Sequence, residues 1–236
     1  MIHEAIKKIE EMSRAFIYPE IDSRTYSSKP IHAVLDPSPT ALRIATLTGM
    51  VDYIKTNVDG LSPSGLIIHV ASFQLVNLLA GLNKKWANRN QFIRIECDTL
   101  KFPFGSFMDV ESFIIRMQSQ FVPSPEADAI LKIVGNVSDA VVKQFSDDGV
   151  TQQATVKAGV SRVENVAVPN PVTLVPYRTF LEIEQPASKF VFRMRSGNEA
   201  PTCALFESDG GNWKNEAILK IKAWLAEKIP DVAIIA

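Results

Sequence analysis

The stretch VPNPVTLVPYRTFLEIEQPASKFVFRM, residues 168–194, contains four prolines that stand before or between runs of apolar residues. Proline cannot donate a backbone hydrogen bond, so it is tolerated at strand starts and in turns. Residues 172–184 and 189–194 are therefore predicted to be strands, joined by a hairpin turn at residues 185–188. Carboxylates and arginines alternate with apolar residues here, which predicts a sheet with one face in solvent.

The neighbouring segments extend this β-structure. Residues 151–160 alternate between two sets of side chains, as a one-sided antiparallel strand does, and residues 202–206 have strand character. The turn at residues 208–212 precedes an amphipathic pattern that predicts a final helix. Residues 150–236 are therefore predicted to form an antiparallel β lobe covered by a C-terminal helix.

The first half of the chain mixes helices and strands. Residues 2–17 are amphipathic and predict an N-terminal helical arm, residues 1–20, which packs on its own domain or on a neighbouring subunit. Residues 21–149 are predicted to be an α/β lobe, and the alternative to two lobes is one continuous domain. The fold class is α+β. The predicted helices are residues 46–58, 73–83, 109–121 and 124–134, and the predicted strands are residues 65–71 and 91–98.

The composition is that of an ordinary globular protein. Apolar residues make up 46% of the 236 residues, charged residues make up 22%, and the net charge is −1. A near-neutral chain lacks the electrostatic footprint of a duplex-binding protein, although it does not exclude a local basic face. Two cysteines far apart, and an N-terminus without a signal-peptide pattern, predict a reduced protein of the cytoplasm.

No motif in the sequence indicates a reaction. The Asp-Gly pairs at residues 148–149 and 209–210 fit turns better than calcium loops, and His69 lies in a predicted buried strand. Cys97 is flanked by carboxylates, which disfavour a reactive thiolate, and Cys203 reads as a small apolar residue. We therefore expect no catalytic residues, no metal site, no cofactor and no enzymatic activity.

Two weak candidates for binding remain. Lys84, Lys85, Trp86 and Arg89 combine cations with an aromatic ring, which can hold a phosphate or stack on a base. The alternative is a solvated turn whose cations face the C-terminal end of a preceding helix. Tyr177 and Arg178 are a second possible contact point, because they are expected on an exposed sheet face.

Four segments taken together resemble a known group of proteins. TLTGMVDYIK, FMDVESFI, FESDGGNWKNEAI and the stretch at residues 168–194 resemble hypothetical proteins of phages and prophages of Gram-positive bacteria. This resemblance covers most of residues 22–228. The order of the segments is remotely similar to the YfdQ-like phage proteins of unknown function. The resemblance implies a phage or prophage protein that works in the cytoplasm of its bacterial host.

The leading functional hypothesis is a non-enzymatic phage accessory protein. It would bind a host protein or a small ligand, for instance to counter a host defence, and it would form a homo-oligomer. One alternative is an accessory factor of phage recombination or replication that binds single-stranded DNA. A further alternative is a virion or assembly component.

Overall fold

The structure, a computed structural model, describes residues 2–13, 19–27, 37–138, 144–147, 152–158, 162–167, 170–195 and 201–236. Helices and sheets alternate along this part of the chain, with a helix near each end. The α+β class is therefore confirmed. The described α-helices are α1 (Ile2–Ser13), α2 (Leu47–Thr56), α3 (Val110–Gln120), α4 (Pro125–Ser138) and α5 (Trp213–Lys228).

The described strands form four sheets, in the orders β1-β2, β10-β9-β8, β11-β12-β13-β7 and β14-β4-β5-β6-β3. The strands are β1 (Glu20–Ile21), β2 (Arg24–Thr25), β3 (Leu42–Ile44), β4 (Leu66–Ser72), β5 (Leu75–Ala80), β6 (Gln91–Glu96), β7 (Met108–Asp109), β8 (Gln144–Asp147), β9 (Gln152–Ala158), β10 (Arg162–Ala167), β11 (Val172–Leu174), β12 (Ser188–Arg195), β13 (Thr202–Glu207) and β14 (Ala233–Ile235).

The five-stranded sheet is mixed. β4, β5 and β6 pair antiparallel, whereas β14 runs parallel to β4 and β3 runs parallel to β6 at the two edges. Helices α2 and α5 contact this sheet and bury an apolar cluster against it. We call it the aliphatic cluster. Its buried members are Leu47, Met50, Val51, Leu66, Ile68, Val70, Val76, Leu78, Ile93, Ile95, Phe180, Ile183, Ile221, Leu225, Ile229 and Val232.

The four-stranded sheet is antiparallel throughout, and α3 and α4 lie against it. The apolar cluster between them is built around phenylalanines, and we call it the aromatic cluster. Its rings contact one another edge to face, as Phe102 and Phe121 do at 5.1 Å and 84°. Its buried members are Phe102, Phe113, Met117, Phe121, Ala127, Ile130, Ile133, Val134, Val172, Leu174, Phe190, Phe192, Met194, Cys203 and Leu205.

Side-chain caps explain where the predicted helices begin. Thr46 accepts a hydrogen bond from the backbone N–H of Gly49 at 3.2 Å, which fixes the start of α2. Asp109 accepts one from Ser112 at 2.8 Å to begin α3, and this backbone contact lowers the pKa of the Asp109 carboxyl. Ser124 accepts one from Ala127 at 3.1 Å to begin α4. The sequence predicts Thr46 or Thr48 as the cap of the first of these helices and Asp109 and Ser124 as the caps of the other two, and the structure selects Thr46.

The helix predicted at residues 73–83 is wrong, because this segment contains β5. Val76 and Leu78 are buried while their neighbours are half-buried, which is the two-residue period of a strand. Ser72 does accept a hydrogen bond, from Gln74 at 3.2 Å. That bond shapes the tight turn between β4 and β5 rather than a helix start.

The C-terminal helix also differs from its predicted position. Among the described elements, α5 packs mainly on β4 and β14 of the five-stranded sheet and on α2, rather than on the antiparallel sheets. Its buried stripe of Ile221 and Leu225 belongs to the aliphatic cluster. The reason is that β14, which follows α5 in the chain, pairs with β4. The end of the chain therefore completes the core that the first half began.

Two predictions fall on residues that the structure does not describe. The boundary between lobes near residue 150 lies outside the described residues, as do residues 14–18 at the end of the predicted arm. Both stay predictions. Within the described part of the chain, no helix is long and apolar enough to span a bilayer.

Candidate functional site

Residues 175–187, here called the connecting segment, run between β11 and β12 and contact both clusters. The N–H of Tyr177 donates to the backbone oxygen of Gln120 on α3 at 2.9 Å. A few residues later, Phe180 and Ile183 are buried in the aliphatic cluster. The side-chain oxygen of Gln185 accepts from the N–H of Arg178 at 3.1 Å and so holds the segment folded. The strand predicted for residues 172–184 is therefore limited to β11.

Arg178 is the central charged group of the connecting segment. Its side chain is 8% exposed, and its Nη1 donates to Oε1 of Glu207 at 2.6 Å. Its Nη2 donates to the Ser188 hydroxyl, and its guanidinium lies 3.7 Å from the ring centre of Trp213. Burial lowers the pKa of Arg178 to about 10, and the Glu207 carboxylate opposes that shift. The prediction that Arg178 lies on an exposed sheet face is wrong, because Arg178 is buried in the connecting segment.

Two cavities meet beside this ion pair and form what we call the cleft. The outer cavity, of about 500 Å³, extends from Asp98 to Leu181. The inner cavity, of about 300 Å³, reaches Arg178, Glu207 and Trp213. Both are lined by Thr99, Leu100, Gln120 and Tyr177.

The walls of the cleft come from both halves of the core. Phe73 in the β4–β5 turn and Trp213 at the start of α5 belong to elements of the five-stranded sheet. Phe102 belongs to the aromatic cluster, and Phe104 packs against it, stacked on Phe190 at 5.0 Å. The cleft is thus the seam between the two clusters. Ligand sites occur preferentially at such junctions.

Several polar atoms in the cleft residues have no hydrogen-bond partner. Within the described part of the chain they are Oε1 of Gln120, Nε of Arg178 and Nε1 of Trp213, whereas the Thr99 hydroxyl has the Cys97 thiol as a partner. Gln120, Arg178 and Trp213 are each less than a tenth exposed, so water does not compensate freely. A buried polar atom left unpaired costs about 1–3 kcal/mol. Three such atoms belong to side chains that line one cavity, and each atom is itself inaccessible, so an occupant with polar groups would pair with them only once these side chains turn toward it.

The structure places the predicted cation-aromatic residues elsewhere. Lys84, Lys85 and Arg89 are exposed in the loop between β5 and β6, and none of them lines the cleft. The ammonium of Lys85 lies 4.9 Å from the ring centre of Trp86, which is half-buried. Because β5 is a strand, these cations do not face a helix end. They form an exposed loop, and their role in binding stays a prediction.

The other residues considered in the sequence analysis lie within the fold and do not line the cleft. His69 is half-buried within β4, and Cys203 is fully buried, with a pKa raised to about 12 by burial. Cys97 is half-buried, and burial raises its pKa as well. The guanidinium of Arg195 lies over the Phe107 ring at 3.9 Å. Among the described residues, no three His, Cys, Asp or Glu side chains are placed to hold a metal ion.

Of the predicted site residues, Tyr177 and Arg178 lie in the cleft, whereas Thr99, Gln120 and Trp213 were missed. Trp213 follows the Gly210-Gly211 turn, where both glycines have positive φ, so a large aromatic side chain begins a helix directly after a tight loop. This tryptophan after a glycine turn was the one sequence feature that could have indicated Trp213 as a site residue. Thr99 and Gln120 carry no pattern of their own, because only the fold brings them to Tyr177.

The chain matches no protein-family model, no curated protein and no solved structure. What the molecule itself defines is an α+β protein whose two apolar clusters meet at a cleft with mostly apolar walls and a few polar side chains.

Proposed function

We propose that the protein binds a small organic ligand in the cleft. The observation that carries this proposal is the set of unpaired buried polar atoms around the inner cavity. The cavity volumes, about 300 and 500 Å³, also fall within the range of about 300–1,000 Å³ typical of small-molecule sites. Buried polar groups in native proteins are almost always paired, so a cluster of exceptions calls for a physical reason.

The sequence left two kinds of partner open for a non-enzymatic accessory protein, a host protein and a small ligand. This proposal selects the small ligand. The resemblance to phage and prophage proteins supports a place in the cytoplasm of a bacterial host, where withholding a small molecule from a host defence is one use of such binding. That biological setting rests on the resemblance alone, whereas ligand binding rests on the cleft.

A retention experiment tests ligand binding. The protein is incubated with the small-molecule fraction of a bacterial extract and desalted, and the retained compounds are identified by mass spectrometry. Leu100, 71% exposed, lines both cavities, so Leu100→Trp obstructs the cleft without disturbing a buried residue. Leu219, 63% exposed on α5, lies outside both cavities, and Leu219→Trp is the matched control.

We expect wild type and Leu219→Trp to retain the same compound, and Leu100→Trp to lose at least nine-tenths of it. Equal retention by both tryptophan variants, or no retained compound in any of the three, contradicts the proposal. Circular dichroism of both variants verifies that the fold is unchanged.

A homo-oligomer formed through α1 is the second part of the proposal. Ile2 and Ile6 lie on the apolar stripe of this helix and are 79% and 50% exposed, so one chain alone leaves these two side chains in solvent. A second copy would bury them. We expect light scattering after size-exclusion chromatography to give a multiple of 26.1 kDa, and Ile2→Ser/Ile6→Ser to shift the mass toward one chain. A strict monomer at micromolar concentration contradicts this part.

Single-stranded DNA binding remains the alternative function, because Lys84, Lys85 and Arg89 are exposed beside a tryptophan. Aromatic stacking and phosphate contacts from such a loop would depend strongly on salt. We expect Trp86→Ala and Lys84→Glu/Lys85→Glu each to abolish DNA binding if this alternative holds. Undetectable binding by wild type, or binding unchanged by the variants, rejects it. Absence of the protein from purified phage particles likewise rejects the virion role.

A further inference from the structure

We infer that the ligand of the cleft is a planar aromatic anion whose carboxylate or phosphate occupies the inner cavity. This inference rests on the proposed function, since it names the chemical class that the same site takes. Three independent features of the inner cavity support it: the balance of charge, the balance of hydrogen-bond donors and acceptors, and the aromatic walls.

The side chains that line the inner cavity carry more positive than negative charge, while the carboxylates of Asp209 and Glu216 act on Arg178 from outside the lining. Lys101, Arg178 and Lys214 line the cavity, together with one carboxylate, that of Glu207. The Glu207 carboxylate is taken by Arg178 at 2.6 Å. Within the described part of the chain, neither Lys101 nor Lys214 forms an ion pair, and both are exposed at the cavity. The Lys214 ammonium lies 5.9 Å from the ring centres of Phe73 and Trp213, so among the described residues Lys101 and Lys214 line the inner cavity without a carboxylate partner, which favours an anion there.

The unpaired hydrogen-bonding atoms also favour an acceptor. The indole Nε1 of Trp213 and the Nε of Arg178 are donors only. Gln120 contributes the one unpaired atom of this set that only accepts. A carboxylate or phosphate offers several acceptor lone pairs at once, so it can receive these donors as their side chains turn toward it.

Aromatic rings supply the remaining surface. Phe73, Phe102, Phe104, Tyr177 and Trp213 all line the inner cavity. Phe73 and Trp213 already meet edge to face at 4.7 Å, and the Arg178 guanidinium lies over the Trp213 ring. Walls of this kind favour flat ring systems, because offset and edge contacts between rings add to the burial of apolar area.

The outer cavity sets the orientation of the ligand. Asp98 lines the outer cavity and not the inner one, so it repels an anion from that end. Leu100 and Leu181, 71% and 70% exposed, offer apolar contact there instead. The anionic group therefore lies toward Lys101 and Lys214, and the ring system extends toward Leu100 and Leu181.

Calorimetric titration with two matched pairs of probes tests the inference. Adenosine 5′-monophosphate is compared with adenosine, and indole-3-acetate with indole, so that each pair differs in its anionic group. The comparison between pairs separates phosphate from carboxylate as the preferred anion. The titrations use wild type, the cleft variant Lys101→Met/Lys214→Met and the charge-matched control Lys132→Met/Lys222→Met, whose exposed lysines lie outside both cavities.

We expect at least one anion to bind at least tenfold tighter than its neutral partner, which is about 1.4 kcal/mol. Lys101→Met/Lys214→Met removes that difference, the control variant keeps it, and added salt weakens it. A neutral probe that binds as tightly as its anion, and that Leu100→Trp excludes, overturns the anion inference but leaves small-ligand binding in place. No binding by any of the four probes at millimolar concentration overturns the inference, and the retention experiment then decides the proposed function separately.

Discussion

The aliphatic and the aromatic clusters each fill the space between one sheet and two helices, but they do so with different side chains. The aliphatic cluster fills a mixed sheet and two helices mainly with Ile, Leu and Val, whereas the aromatic cluster fills an antiparallel sheet and two helices around five phenylalanines. Branched aliphatic side chains interdigitate and leave little space, while rings meet edge to face and extend flat surfaces to the border of the core. The cleft opens at that border. Two of its ring walls, Phe102 and Phe104, come from the aromatic cluster and its border, whereas Phe73 and Trp213 come from elements around the five-stranded sheet.

Phe180→Ala is expected to have the largest effect on this arrangement. Phe180 is 1% exposed, and it belongs to the connecting segment while it fills the aliphatic cluster. Loss of a buried phenylalanine costs about 3–5 kcal/mol. Since the segment is tied to both clusters, urea unfolding followed by circular dichroism and by tryptophan fluorescence should shift in one common transition.

The adjacent Leu181, 70% exposed, provides the control for that substitution. Leu181→Ala should change the free energy of unfolding by no more than about 0.5 kcal/mol. Two separate transitions in Phe180→Ala, with only one of them shifted, would show that the clusters unfold independently.

Arg178→Met tests the polar contact that joins the two clusters. Breaking a buried ion pair costs about 3–5 kcal/mol, and because the Glu207 side chain is 31% exposed the loss here should be smaller, about 2–3 kcal/mol. Arg195→Met is the matched control. Arg195 is exposed on β12, in the same sheet as Glu207, and its guanidinium lies over one ring. An equal loss in both variants, measured by urea unfolding, would mean that the buried ion pair adds nothing specific.

Much of this architecture could be predicted from the sequence, and the failures have identifiable physical causes. Helices α2, α3 and α4 were predicted because their caps are local side chains, as Thr46, Asp109 and Ser124 are. β5 was missed because its apolar residues occupy both faces, which a short helix also permits. Arg178 was placed in solvent because its partner Glu207 lies 29 residues further along the chain.

The cleft is harder still to predict. Its walls come from the β4–β5 turn, the loop after β6, α3, the connecting segment and the start of α5. None of these segments indicates a site alone. The placement of α5 depends on the parallel pairing of β14 with β4, a contact between residues 233–235 and residues 67–69. Long-range pairing of this kind leaves no local pattern.

The smallest expected effect is a difference in reactivity between the two cysteines, one beside each cluster. Cys203 is fully buried in the aromatic cluster with a pKa of about 12, while Cys97 is half-buried and packs against the aliphatic cluster. The thiolate is the reactive form, so at pH 8 a thiol reagent should modify Cys97 slowly and leave Cys203 unmodified. Peptide mass spectrometry locates the adducts, and denaturant should expose both. Modification of Cys203 as fast as Cys97 in the folded protein contradicts the burial described for the aromatic cluster.

The central claim is that the seam between the two clusters is a ligand site. A crystal structure of the protein with the compound it retains from extract tests this most directly. The account predicts that the compound lies in the cleft, with a polar atom within hydrogen-bond distance of Trp213 Nε1 or Gln120 Oε1. A compound bound elsewhere, with only water in the cleft, would contradict it.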